Sequence, residues 1–178
     1  MKGSRIKKGL VIVNTGDGKG KTSAALAVML RAWGRGMHVR MFQFLKHTGA
    51  HFGEHRTAVK LGIPIQAMGD GFTWRSKDMD QTRDLVVQQW PICKDAILSG
   101  EDDIIILDEL TYTLNYGWVA VEEVLEALRQ RPAMLHVIIT GRDAPPELIE
   151  YADLVTEMQV IKHPYRDQGI KAQPGIEF

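Results

Sequence analysis

The sequence predicts an α/β fold, a mostly parallel sheet flanked by helices, and three observations carry that prediction. Short apolar runs rich in β-branched residues, Gly9 to Val13, Ile104 to Leu107 and Met134 to Thr140, alternate with stretches of helical period. The first run passes through a glycine-rich loop directly into strong helix formers, Ser23 to Leu30. The second ends in two carboxylates, Asp108 and Glu109, where a strand buried on both faces would reach the carboxyl edge of a parallel sheet. Such alternation implies right-handed crossovers, with the ligand across the carboxyl ends of the strands.

Residues 9 to 14 form the first strand and 21 to 33 the first helix, which Gly34 and Gly36 suit to end. Residues 38 to 44 alternate as a second strand, and after a polar loop a short helix covers 53 to 61 and stops at Gly62. Ile63 to Met68 reads as a peripheral strand, because Pro64 lacks the donor that a central ladder needs. Between Asp78 and Ser99, Val86, Trp90, Cys93 and Ile97 recur at helical spacing, and Pro91 is expected to bend or break that helix. Residues 104 to 107 form the strand before Asp108, and a short turn spans Leu114 to Trp118. Val121, Val124, Leu125 and Leu128 mark an amphipathic helix, with Glu122, Glu123 and Glu126 facing solvent. Residues 134 to 140 are another buried strand, Pro145 and Pro146 open a short helix through Tyr151, and Leu154 to Val160 is a last strand.

The loop Asn14-Thr15-Gly16-Asp17-Gly18-Lys19-Gly20-Lys21-Thr22, followed by Ser23, has the strand-loop-helix context of a phosphate-binding P-loop. Gly16, Gly18 and Gly20 let backbone N–H groups turn inward as an anion nest at the positive end of the helix. Lys21 would set its ammonium on the terminal phosphates, and the Thr22 hydroxyl would be a ligand for Mg²⁺. The G-x-x-x-x-G-K-T pattern expects glycine where this chain has Thr15, which suggests a differently shaped loop entry. Asp108 and Glu109 then read as a Walker-B element, holding Mg²⁺ directly or through water. Arg142, just past the end of the strand at 134 to 140, is placed to reach a bound nucleotide.

At 178 residues with 44% hydrophobic content, the chain is expected to be one domain, 1 to 178, with a substantial core. Lys plus Arg and Asp plus Glu balance at 22 each, so there is no global basic footprint for nucleic acid. The basic cluster Lys2, Arg5, Lys7 and Lys8 reads as a solvated leader. No apolar run approaches the ~20 residues of a membrane span, and no signal-peptide core follows the basic start. A lone cysteine, Cys93, fits a reducing compartment, and a cytoplasmic protein is expected. His47, His51 and His55 fall at i, i+4, i+8, but Gly49 and Gly53 interrupt any helix over them, and a loop beside the ligand or plain surface is the preferred reading over a zinc site.

Beyond the P-loop, the segments Gln43-Phe44, Gly71-Phe72-Thr73-Trp74, Leu107-Asp108-Glu109-Leu110-Thr111-Tyr112, Ile139-Thr140-Gly141-Arg142 and Lys171-Ala172-Gln173-Pro174-Gly175-Ile176 stand in a specific order. In that order the chain closely resembles the P-loop type of ATP:corrinoid adenosyltransferases, from the first strand to the C-terminus. Thr15 in place of the first P-loop glycine belongs to that family's own pattern. The resemblance implies a P-loop NTPase-like (RecA-like) fold and transfer of the 5′-deoxyadenosyl group of ATP to the cobalt of a reduced corrinoid, releasing triphosphate. It implies Mg²⁺ as cofactor, held by Thr22 and Glu109 with Asp108 the less direct partner, and ATP as co-substrate bound along Asn14 to Ser23 and by Arg142. Lys21, Thr22 and Glu109 become the catalytic set. Phe72 and Trp74 would lie against the lower face of the corrin ring and keep an axial ligand away, easing reduction of Co(II) to Co(I).

The implied partners are a corrinoid, an electron donor such as a reduced flavoprotein, and a second copy of the chain in a homodimer, with no nucleic acid and no membrane. Family members often carry a longer N-terminal segment that can fold over a neighbouring subunit's site, whereas Met1 to Lys8 precede the first strand here. The residues alone leave two other readings open: an ordinary P-loop ATPase or kinase, and a non-catalytic nucleotide-binding partner.

Overall fold

The computed structural model describes residues 7–47, 52–69 and 79–177. Its strands are β1 (Val11–Thr15), β2 (Val39–His47), β3 (Ile65–Gly69), β4 (Ile104–Asp108), β5 (His136–Thr140) and β6 (Leu154–Glu157). They form one sheet in the order β3-β2-β4-β5-β1-β6, every neighbouring pair parallel. The helices are α1 (Lys21–Trp33), α2 (Gly53–Leu61), α3 (Met79–Ser99), α4 (Leu110–Asn115), α5 (Val121–Gln130), α6 (Pro146–Tyr151) and α7 (Pro164–Gln168).

Strand periodicity sorts the core into two layers. Ile104 and Ile106 of β4 pack with Met41 of β2 against Ala25, Met29 and Ala32 of α1 and Ala58 of α2. Ile105 and Leu107 point the other way, with Phe42, Phe44, Val137 and Ile139, onto Val86, Trp90, Cys93 and Ile97 of α3 and Val124, Leu125 and Leu128 of α5. The uninterrupted apolar run of β4 is therefore a strand covered on both faces. β3 is the edge strand that Pro64 predicts, and the Pro64 carbonyl still accepts from the Met41 amide at 3.0 Å.

Three expectations need adjustment. α3 runs unbroken through Pro91. Pro91 and Val87, whose carbonyl loses its i+4 donor, both lie on the exposed side, where water can replace that bond, while Trp90 and Cys93 hold the helix to the sheet. α4 forms over Leu110–Asn115 and takes in the start of the turn expected at Leu114 to Trp118, because Leu110, Thr111, Thr113 and Leu114 are all buried there, and Thr113 satisfies its hydroxyl on the Leu110 carbonyl at 2.8 Å. β6 ends at Glu157 rather than Val160, because the chain beyond it turns onto the glycine loop. α7 is a further short helix, capped by the His163 ring, whose Nδ1 accepts from the Tyr165 and Arg166 amides. Lys8, exposed to solvent as expected of the leader, pairs with Asp153 at the foot of β6.

Candidate active site

The loop between β1 and α1 is built around the segment after β6. Met158 donates its amide to the Thr15 carbonyl at 2.8 Å and accepts from the Gly18 amide at 2.6 Å. A Cβ on Gly18 would lie 2.6 Å from the Met158 carbonyl oxygen, and one on Gly16 would meet the same oxygen at 2.6 Å. These glycines are therefore required by the close approach of a neighbouring chain, and the Gly18 amide is committed to Met158 instead of pointing into an anion nest. Gly20, at φ 112°, supplies the left-handed step from which α1 starts.

Thr15 explains the departure from the standard pattern. Its side chain is buried, and its Oγ1 accepts from the Ala144 amide at 3.1 Å, fastening the loop entry to the β5–α6 connection. The same connection carries Arg142, whose guanidinium lies 3.5 Å from the Asp17 carboxylate of the glycine loop. Thr111 of α4 locks it from below: its hydroxyl donates to the Arg142 carbonyl at 2.6 Å, and any Cβ on Gly141 would collide with that hydroxyl.

Lys21 turns back over the loop, its ammonium donating to the Gly16 and Gly18 carbonyls at 2.6 Å each. Burial, then the nearby Arg142 charge, lowers its pKa from the usual lysine range. The amides of Lys21, Thr22 and Ser23 open α1, where a helix leaves its first N–H groups without intrahelical partners. Ser23 and Asp17 are exposed, Asn14 is buried, and Lys19 reaches Glu177 at 2.9 Å, bringing the C-terminal segment to the loop.

Asp108, fully buried at the end of β4, gathers three donors. Thr22 Oγ1 donates to its Oδ1 at 2.8 Å, Thr140 Oγ1 to the same oxygen at 2.7 Å, and Gln43 Nε2 to its Oδ2 at 3.1 Å. The Thr22 proton is thereby directed at Asp108, which leaves the hydroxyl's lone pairs for a cation. Glu109 follows in the left-handed region, at φ 63°, its amide donating to Thr140 Oγ1 at 3.0 Å. A non-glycine residue held there costs about 1–2 kcal/mol, the kind of local strain that clusters at working sites. Burial and the adjacent Asp108 charge push the Glu109 carboxyl up to about 7, opposed by Lys46, Lys21 and Arg142. Thr22 and Glu109 are the oxygen donors here that could hold a divalent cation, with Asp108 orienting Thr22.

The model of ATP:corrinoid adenosyltransferase BtuR/CobO/CobP matches residues 7–178. This chain belongs to that family. A corrinoid adenosyltransferase of Sinorhizobium sp is 42% identical over 176 residues, 97% of this chain and 81% of that protein. The corrinoid adenosyltransferase of Escherichia coli K12 is 39% identical over 172 residues, 97% of this chain and 87% of its own. The flagellar accessory protein FlaH from Methanocaldococcus jannaschii superimposes with a TM-score of 0.55 at 11% identity, covering 87% of this chain and 73% of that one. That likeness concerns the fold, which is α/β and P-loop NTPase-like.

For this member of the adenosyltransferase family, the structure brings Lys21, Thr22, Asp108, Glu109 and Arg142 to one end of the sheet, as the sequence expects. Phe72 and Trp74 lie outside the described residues, as do His51 and the side chain of His47. His55 belongs neither to a loop nor to plain surface: it sits on α2, partly buried, with Nε2 2.5 Å from Gln43 Oε1. Among the described residues no group of three or more His, Cys, Asp or Glu side chains is arranged to hold a metal ion. Residue-level reasoning assigned no role to Gln43, Thr140 or Thr111. Their signal was a polar residue at the carboxyl end of an otherwise apolar strand, or just after one.

Proposed function

We propose that this chain transfers the 5′-deoxyadenosyl group of ATP to the Co(I) centre of a reduced corrinoid, releasing triphosphate, in adenosylcobalamin biosynthesis or salvage. The observation that carries the reading is the family match along residues 7–178. In the reaction the cobalt electron pair attacks C5′ of the ribose. A Co–C bond forms, the C5′–O bond breaks, and its electron pair departs with the triphosphate. The substrate supplies the nucleophile, so the protein's part is positioning and charge.

The residues Asn14 to Ser23 and Arg142 would bind the nucleotide, with the free amides at the start of α1 and the Lys21 ammonium facing phosphate oxygens. Lys21 would exchange its two loop carbonyls for phosphate oxygens. Thr22, oriented by Asp108, and Glu109 fit a Mg²⁺ ion: a hydroxyl with its proton turned away and a carboxylate destabilised beside another negative charge. When bound, the ion supplies positive charge against the developing charge of the leaving triphosphate. Phe72 and Trp74 are proposed for the corrinoid on the family resemblance alone.

The reading extends to a single domain over 1–178, a reduced flavoprotein as electron donor, a homodimer and a cytoplasmic location. Among the described residues no helix is long and apolar enough to cross a membrane. The deciding experiment is anaerobic incubation with Mg-ATP and chemically reduced cob(I)alamin. A light-sensitive alkylated corrinoid and one triphosphate per turnover are expected; ADP and phosphate without alkylation would overturn the assignment.

A further inference from the structure

The buried polar chain at the end of β2 has a member that the reaction as described does not use. Gln43 is fully buried, so both halves of its amide need partners. Its Nε2 donates to Asp108 Oδ2 at 3.1 Å, and its Oε1 lies 2.5 Å from His55 Nε2. A flip of this amide would set its oxygen against the Asp108 carboxylate, two acceptors facing each other. The arrangement is consistent only with the proton on His55 Nε2, donating to Gln43.

His55 is itself held in place. It lies in the first turn of α2, its ring tilted 57° to that of Phe52 with centroids 5.7 Å apart. The neighbouring Glu54 pairs with Lys46 of β2 at 2.6 Å, and both side chains are largely buried. The Lys46 ammonium also stands 5.0 Å from the Phe52 ring centroid. The first turn of α2 is thus bolted to the same strand that carries Gln43.

We propose that His55 is a positioning residue for the nucleotide-metal end of the site: by fixing the Gln43 amide it holds Asp108, and through Asp108 the Thr22 hydroxyl, in the orientation that receives the cation. The inference rests on the proposed Mg-ATP site, but not on what the acceptor is. Without His55 the fully buried Gln43 Oε1 has lost this donor, so the side chain shifts to find another, its Nε2 is drawn off Asp108, and the Thr22 proton is less tightly directed.

The test uses the full chain and Mn²⁺ as the probe ion, with affinity for the protein–ATP complex read by electron paramagnetic resonance in the absence of corrinoid. His55→Ala is expected to weaken Mn²⁺ binding about fivefold, below the ~10–100-fold range for direct partners of metal ligands because His55 acts through Gln43 and Asp108, while ATP affinity without divalent ion changes less than about twofold. His55→Gln, which keeps a donor at the same reach, should recover most of the loss. Because His55 acts through Gln43, the His55→Ala/Gln43→Met double variant should bind Mn²⁺ no more weakly than Gln43→Met alone. Additive losses, or unchanged Mn²⁺ affinity in His55→Ala with a raised KM for corrinoid, would overturn the proposal. Thermal unfolding of each variant identifies one that fails to fold; if His55→Ala does, His55→Phe, which keeps a ring and removes the donor, carries the test with the same expected loss. If the wild-type protein alkylates no corrinoid yet shows this Mn²⁺ pattern, the adenosyltransferase reading fails while the positioning role stands.

Discussion

The Thr15 hydroxyl accepts a hydrogen bond from the Ala144 amide at 3.1 Å, joining two loops 129 positions apart in the chain. One loop would bind phosphate and the other carries Arg142. Thr15→Gly, which restores the usual P-loop consensus, should therefore weaken the protein. Loss of the bond leaves the partly buried Ala144 amide without this partner and adds backbone freedom, together about 1–2 kcal/mol. Chemical denaturation would show the loss as a lower midpoint, and ATP affinity should fall with it, because the connection that carries Arg142 keeps its bond to Thr111 but loses its tie to the loop entry. An unchanged midpoint would show that the bond contributes nothing.

Lys21 lays its charge over the glycine loop from the start of α1, and its hydrogen bonds are to loop carbonyls on its own segment. Lys21→Ala should lower kcat/KM for transfer by about 10²–10³-fold or more, the scale for removing one charge-stabilising group. The melting temperature should move little. Steady-state kinetics with pre-reduced corrinoid measures the first effect and calorimetry the second.

Glu109 is a half-buried carboxylate on a strained backbone position beside Asp108. Glu109→Gln keeps the shape and removes one of two adjacent negative charges. Without Mg²⁺ and nucleotide the variant should melt higher than wild type, while the Mg²⁺ concentration needed for half-maximal transfer should rise at least about tenfold. A more stable protein with an unaltered Mg²⁺ requirement would remove Glu109 from the cation's ligands.

Phe72→Ala with Trp74→Ala separates the two substrates. ATP affinity should stay within about twofold of wild type, because the nucleotide is proposed to be held by Asn14 to Ser23 and Arg142, and these two aromatics are proposed for the corrinoid. Transfer starting from Co(II) corrinoid with a reductant should fall far more than transfer starting from Co(I). Equal losses by both routes would argue against a role for these aromatics in removing the axial ligand.

Asp153 pins the start of β1 to edge strand β6, accepting from Lys8 and from the Val11 amide, the latter at 3.0 Å. The Lys8 hydrogen bond, then that of Val11, holds its carboxyl below the usual range. A depressed folded-state pKa contributes stability above the unfolded pKa that is lost as pH falls through the folded one. Asp153→Asn should therefore be destabilised at pH 7 by about 0.5–1 kcal/mol, a value reduced for solvent screening of this exposed group. The gap to wild type should close as the pH falls below the usual carboxylate range, as read from urea midpoints across pH.

Legibility in the sequence followed range. The P-loop, the strand ending in Asp108 and the helix starting at Lys21 were readable because glycine placement, β-branched runs and helical period act over a few neighbours. The α4 helix was not, since its threonines disfavour a helix locally and only burial of Leu110 and Leu114 imposes one. Thr15 was legible as a departure from the P-loop pattern, but its partner Ala144 was not.

By itself the sequence determined the alternation of strands and helices, the phosphate loop, the carboxylates at a strand end and, through the ordered motifs, the family. Those properties reside in local backbone preference and residue chemistry. Tertiary structure alone decided who meets whom. The strand order puts β5 between β1 and β4, which sets Thr140 beside Asp108, and β2 on the far side of β4, which delivers Gln43 to the same carboxylate. Neither neighbour is encoded by any period along the chain, because strand order follows from how the helices cover the two faces of the sheet. The packing of Met158 on the glycines likewise arises only once β6 has paired with β1.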